Sequence, residues 1–155
     1  MYEEFSLRAI RPRALTLPCD NGMLNMHTSA TLHTIMLSRV YAHAHNADIV
    51  ITLNREGHVS TVDGAAPIIV LDHVLIFSPD IHTPEYMLAM QAATAGERDI
   101  LCRHVDVAEL YGASEVMGID HRGITAVGSC DTHQYSNIVA NTLARRIADM
   151  ERAKQ

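Results

Sequence analysis

The chain has 155 residues, a formal net charge of −6 and 48% hydrophobic residues, enough for one domain with a real core. That acidic balance excludes the basic footprint of a nucleic-acid binder, and no apolar run nears the roughly 18 residues of a membrane span. Met1-Tyr2-Glu3-Glu4 has no basic start followed by an apolar stretch, so a cytoplasmic protein is expected, with its three cysteines as reduced thiols.

In chain order, residues 1–12 read as an extension ending at Arg11-Pro12. Ala14-Leu15-Thr16-Leu17, between Pro12 and Pro18, suits a strand. Cys19-Asp20-Asn21-Gly22 is a turn by composition. A helix is predicted over about 28–45, with a buried stripe of Leu32, Ile35, Met36, Leu37 and Val40. Residues 48–54 alternate and are β-branched, the clearest strand in the chain. Glu56-Gly57 turns into a second strand over 58–62. Ile68–Leu71 and Val74–Phe77 are strongly apolar, interrupted by Asp72-His73, and periodicity leaves strand and helix both open. Thr83-Pro84-Glu85 carries a capping hydroxyl, a proline and a first-turn carboxylate, so a helix runs from there to about Ala95. Residues 99–105 read as a strand, about 108–117 as a short helix and 123–127 as a strand. A final helix over about 133–152 carries the stripe Val139, Leu143, Ile147 and Met150.

His27 sits at the start of the first helix, where unpaired N–H groups and the helix dipole favour an anion. An imidazole there can carry a phosphoryl group whose oxygens meet the N–H groups of Thr28, Ser29 and Ala30. The plainer alternative is a loop or capping residue without chemistry.

The order of these segments resembles HPr, the histidine phosphocarrier of the bacterial sugar phosphotransferase system. Asn25-Met26-His27-Thr28-Ser29-Ala30-Thr31 is similar to the family's phosphorylation segment. Val105 through Gly112, with Met117-Gly118-Ile119, looks like its short second helix and the segment after that helix. Residues 123–129 and the terminal helix look like its last strand and helix. The resemblance implies an α+β fold, an HPr-like open-faced β-sandwich with helices on one face of an antiparallel sheet. It would form a single domain over 1–155, with a core of about 13–54 and 99–152 and an insertion of about 57–98. It also implies a phosphocarrier or regulatory protein with His27 as acceptor, phosphate held by Thr28, Ser29 and Ala30, and Glu109 at the regulatory-serine position. No cofactor or metal is implied, and the expected partners are phosphotransferase-type or regulatory proteins. The departures are Ser29 for the family's arginine, Ala30 for its proline and Asn25 for its glycine. Losing the arginine removes a bidentate phosphate donor.

Two other readings stand beside this one. The first is a non-catalytic, homo-oligomeric assembly protein whose interface is the insertion with its Tyr86–Met90 stripe. The second is a metal module built from Cys102, His104, Cys130 and His133, at a spacing that matches no zinc finger or ribbon. His43 and His45, two apart on a helix, point to different faces.

Overall fold

The computed structural model describes residues 5–18 and 29–154, with side chains from residue 35 onward in the second stretch. Ten strands and four helices are formed by the described residues. One sheet comprises β1 (Arg13–Pro18), β2 (Ile49–Leu53), β3 (Val59–Val62), β9 (Ser129–Cys130) and β10 (His133–Gln134), in the order β10-β9-β1-β2-β3. The other comprises β4 (Ala66–Leu71), β5 (Val74–Phe77), β6 (Ile100–Cys102), β7 (Glu115–Asp120) and β8 (Gly123–Ala126), in the order β6-β5-β4-β7-β8. The helices are α1 (Ser29–Ala44), α2 (Pro84–Ala95), α3 (Val107–Gly112) and α4 (Ile138–Ala153).

Both sheets are mixed. β1 runs parallel to β2, with α1 as the crossover, and β5 runs parallel to β6, with α2 as the crossover. This corrects the expected open-faced sandwich, which has one antiparallel sheet with a bare side. Here the sheets stack on each other, and residues 57–98 supply β3, β4, β5 and α2. β4 lies at the centre of its sheet, paired with β5 and β7.

Period-two alternation explains the layering. On β4, Ile68 and Val70 face α2 and α4, while Ile69 faces the other sheet. On β5, Leu75 and Phe77 take the helix side and Ile76 the inter-sheet side. A strand covered on both faces reads as one continuous apolar run, which is why periodicity left this segment undecided. Asp72 and His73 both take positive φ, 50° and 66°, and close the two-residue hairpin between Leu71 and Val74. Ile49, Ile51 and Leu53 of β2 meet Ile69, Ile76 and Val116 in the inter-sheet core, and Val50 on the opposite face packs with Ala42 and Ala47.

α1 departs from its predicted stripe: Met36, Leu37 and Val40 are 66%, 57% and 68% exposed. The helix is apolar on more than one side, and only part of that surface meets the sheet. α2 begins where Thr83-Pro84-Glu85 predicted, with the Thr83 hydroxyl accepting from the Tyr86 N–H at 3.3 Å. On α4, Val139, Leu143 and Ile147 are buried as expected. Its cap comes from elsewhere: the buried Glu115 carboxylate on β7 accepts from the N–H groups of Val139 and Ala140 at 2.8 and 3.1 Å. No described helix is long and apolar enough to cross a membrane.

Candidate functional site

The main cleft opens where three connections meet. The first is the turn from β3 into β4, with Thr61 at the end of β3 and Gly64, Ala65 and Ala66 after it. The second is the loop from β5 into α2, giving Asp80, Ile81, His82, Thr83 and Glu85. The third is the end of β7 and its hairpin, giving Ile119, Asp120 and His121. These enclose a cleft of about 350 Å³, within the range that holds a small ligand.

Local chemistry places each part. Gly64 at φ +79° makes the turn out of β3. Gly118 lets β7 pass close to β3, since a Cβ there would lie 3.1 Å from the Val62 carbonyl oxygen and from the Ala65 methyl. Pro84 gives α2 a first residue without an N–H, and Glu85 sets a carboxylate in its first turn. The positive end of α2 is thus already met by an anion.

The electrostatics are acidic. Burial by itself would push the Asp120 carboxyl up. The side-chain and backbone bonds from Arg122 outweigh it and hold this carboxyl below the usual range, so Asp120 stays ionised. Asp80 Oδ2 lies 3.5 Å from Nε2 of His104, whose ring stacks on that of His58 at 4.9 Å. Beside the cleft, Asp63 receives two bonds from the Arg39 guanidinium at 2.7 and 3.0 Å. Three carboxylates, Asp80, Glu85 and Asp120, and two imidazoles, His82 and His121, line the space, and no described lysine or arginine does.

The residues singled out from sequence fall elsewhere. His27 and Thr28 lie outside the described residues. Ser29 and Ala30 open α1, so the helix begins where the His27 segment predicted. Glu109 is the N3 residue of α3, in a capping box with Asp106 and a two-bond ion pair with Arg103 at 2.7 and 3.0 Å. Its position is explained by helix capping. Cys102 is exposed on β6 in one sheet and Cys130 is buried on β9 in the other, so the suggested metal set is divided. Among the described residues no group of three or more His, Cys, Asp or Glu could hold a metal ion. His133 instead stacks on Tyr111 at 4.5 Å, and the Tyr111 hydroxyl donates to Asp131.

No family model matches the chain, and no curated protein matches it in sequence. Solved structures do match in fold. A branched-chain aminotransferase from the archaeon Thermoproteus uzoniensis, solved with norvaline, matches at TM-score 0.84 and 19% identity, over 96% of this chain and 54% of that one. The holo, PLP-form branched-chain aminotransferase of Thermobaculum terrenum matches at 0.78 and 20%, over 94% and 51%. The Escherichia coli enzyme matches at 0.77 and 18%, over 87% and 50%. The chain therefore has the fold of about half of an aminotransferase and spans about half the length of these structures. This overturns the HPr resemblance and with it the phosphocarrier reading, and it lends no support to the assembly and metal-module alternatives. The strand–helix–strand opening is shared by both folds at the level of order. The pairing directions and the second sheet separate them.

Proposed function

We propose that this chain is a small-molecule-binding domain of the aminotransferase type, which takes an amino acid or related primary amine in the cleft between β3, α2 and β7. The observation that carries the reading is the lining of that cleft: three carboxylates and two histidines, with no described lysine or arginine among them. An ammonium group is the natural counter-ion for such a space, and it keeps its hydrogen bonds when Asp80, Glu85 and Asp120 replace water. His82 and His121 supply donors to a carboxylate on the same ligand. The fold likeness supports an amino-acid-sized ligand rather than a polymer. Self-association and cytoplasmic residence belong to the same proposal. The surface for self-association shifts from the 57–98 segment, whose Ile68, Leu75 and Phe77 are fully buried, to the exposed Met36, Leu37 and Val40 of α1.

Calorimetric titration with norvaline, butylamine and the 2-oxo acid of the same carbon skeleton tests the reading. The two amines bind and the oxo acid does not. Asp80→Asn and Glu85→Gln each weaken amine binding about fivefold, the Coulomb worth of one solvated contact. Equal binding of the oxo acid, or no amine binding at all, refutes it.

A further inference from the structure

The matching structures raise a specific question, since one of them is a holo, PLP form. Attaching an aldehyde cofactor as a Schiff base takes a primary amine, whose two hydrogens leave with the aldehyde oxygen as water. The only lysine in this sequence is Lys154. It is the exposed C-cap of α4 and does not line the cleft. The other basic side chains are arginines, which cannot form that bond.

The cofactor's phosphate meets a second obstacle. Phosphate sites are built from lysine, arginine or free N–H groups at a helix start. In this cleft the helix start is that of α2. Pro84 has no N–H, the Tyr86 N–H is taken by Thr83, and Glu85 brings its own negative charge. Asp80 and Asp120 add two more carboxylates, and Asp120 is kept ionised by Arg122, whose guanidinium it occupies at 2.6 and 3.1 Å. A phosphate dianion placed there meets the carboxylates of Asp80 and Glu85, while the Arg122 cation beside the cleft is already held by Asp120. The cofactor therefore does not fit the residues present, on two counts that are independent of each other.

We propose that this chain has kept the aminotransferase fold without the pyridoxal phosphate, and that its cleft rejects phosphorylated ligands while accepting unphosphorylated ones. The inference rests on the small-molecule reading of the same cleft.

The test uses the chain of 155 residues with pyridoxal phosphate, followed by borohydride reduction, intact mass and peptide mapping. Equilibrium dialysis with pyridoxamine phosphate reads retention that needs no covalent bond. The expected result is no saturable adduct and no retention. Whatever label forms is confined to Lys154 and the terminal amine, rises linearly with reagent, and loses its lysine share in Lys154→Arg. A stoichiometric, saturable adduct, or saturable retention of pyridoxamine phosphate, overturns the proposal. The Asp80→Asn/Glu85→Gln double variant changes two side chains outside the buried core, and its fold is checked by circular dichroism. If charge keeps phosphate out, retention of pyridoxamine phosphate rises about fivefold per charge removed. A folded variant with no rise overturns the charge argument. Binding of norvaline without cofactor supports both readings. Saturable cofactor uptake leaves the cleft as a binding site and removes only this inference, whereas loss of every ligand removes the proposed function and, with it, the acceptance of unphosphorylated ligands proposed here.

Discussion

Glu115 is the best place to perturb this structure, because one buried carboxylate joins the second sheet to the helix that covers it. It is 3% exposed and accepts from the N–H groups of Val139 and Ala140. The N-cap residue of α4, Asn137, makes no side-chain cap bond. Glu115→Gln keeps the volume and one acceptor oxygen but turns an NH2 group toward a backbone N–H. One of the two charged bonds is lost, worth about 1.5–3 kcal/mol, together with a charge–dipole contribution of about 0.3–1 kcal/mol. A loss of about 2–3 kcal/mol is expected. Glu115→Ala also opens a cavity and strands both donors, for about 3–5 kcal/mol. Urea unfolding followed by circular dichroism measures this, with the slope unchanged and the midpoint of Glu115→Gln lowered by roughly 1–2 M. The loss should persist in high salt, since a buried pair is poorly screened. A Glu115→Gln protein within about 0.5 kcal/mol of wild type would refute the cap.

Gly123 has φ +123°, and a Cβ there would lie 2.0 Å from the Ser6 carbonyl oxygen, so Gly123→Ala should cost about 3 kcal/mol by urea unfolding. Gly57→Ala, at φ +80° in open space, should cost only about 1 kcal/mol. Burial, with the nearby Asp131 charge, pushes the Cys130 thiol up to about 12 from an ordinary 9.0. The folded state thus holds a proton that the unfolded chain gives up first, so stability is complete below pH 9.0 and falls as pH rises toward about 12. Near neutral pH a thiol reagent should label Cys102 in the native protein and Cys130 only after unfolding, which mass mapping reads directly. Val40→Glu, at a site 68% exposed, should change stability by less than about 0.5 kcal/mol. Light scattering should give a wild-type mass above the monomer that falls to the monomer in the variant; a monomeric wild type at every concentration refutes self-association through α1.

Elements set by local chemistry were legible in the sequence. The alternating residues of β2 form a strand, Thr83-Pro84-Glu85 opens α2, and Val139, Leu143 and Ile147 are the buried face of α4. What local chemistry does not encode is which strands pair. β1 lies between β2 and β9, and nothing in Arg13–Pro18 announces a partner more than a hundred residues away. The α1 stripe failed because apolar spacing alone does not say how much of a helix finds a neighbour. The cleft was invisible for a related reason. Asp80 follows Ser78-Pro79 in the connection from β5 to α2, Asp120 and His121 belong to the hairpin between β7 and β8, and Glu85 is the first-turn carboxylate of α2. Each has a sufficient local explanation, and only the fold brings them together.

The pairing of β1 also bears on how the molecule is made. Arg13 and Ala14 align with Ser129 and Cys130, the Arg8 N–H donates to the Ile124 carbonyl, and Leu7 bridges to Ile124. Translation delivers residues 5–14 well before residues 124–130. Until residues 124–130 emerge, β1 therefore carries an open hydrogen-bonding edge, with only β2 available to pair on one side. Contacts of such long separation also slow folding once the chain is released. An unpaired edge during that interval is a site for chaperone capture or for aggregation of nascent chains.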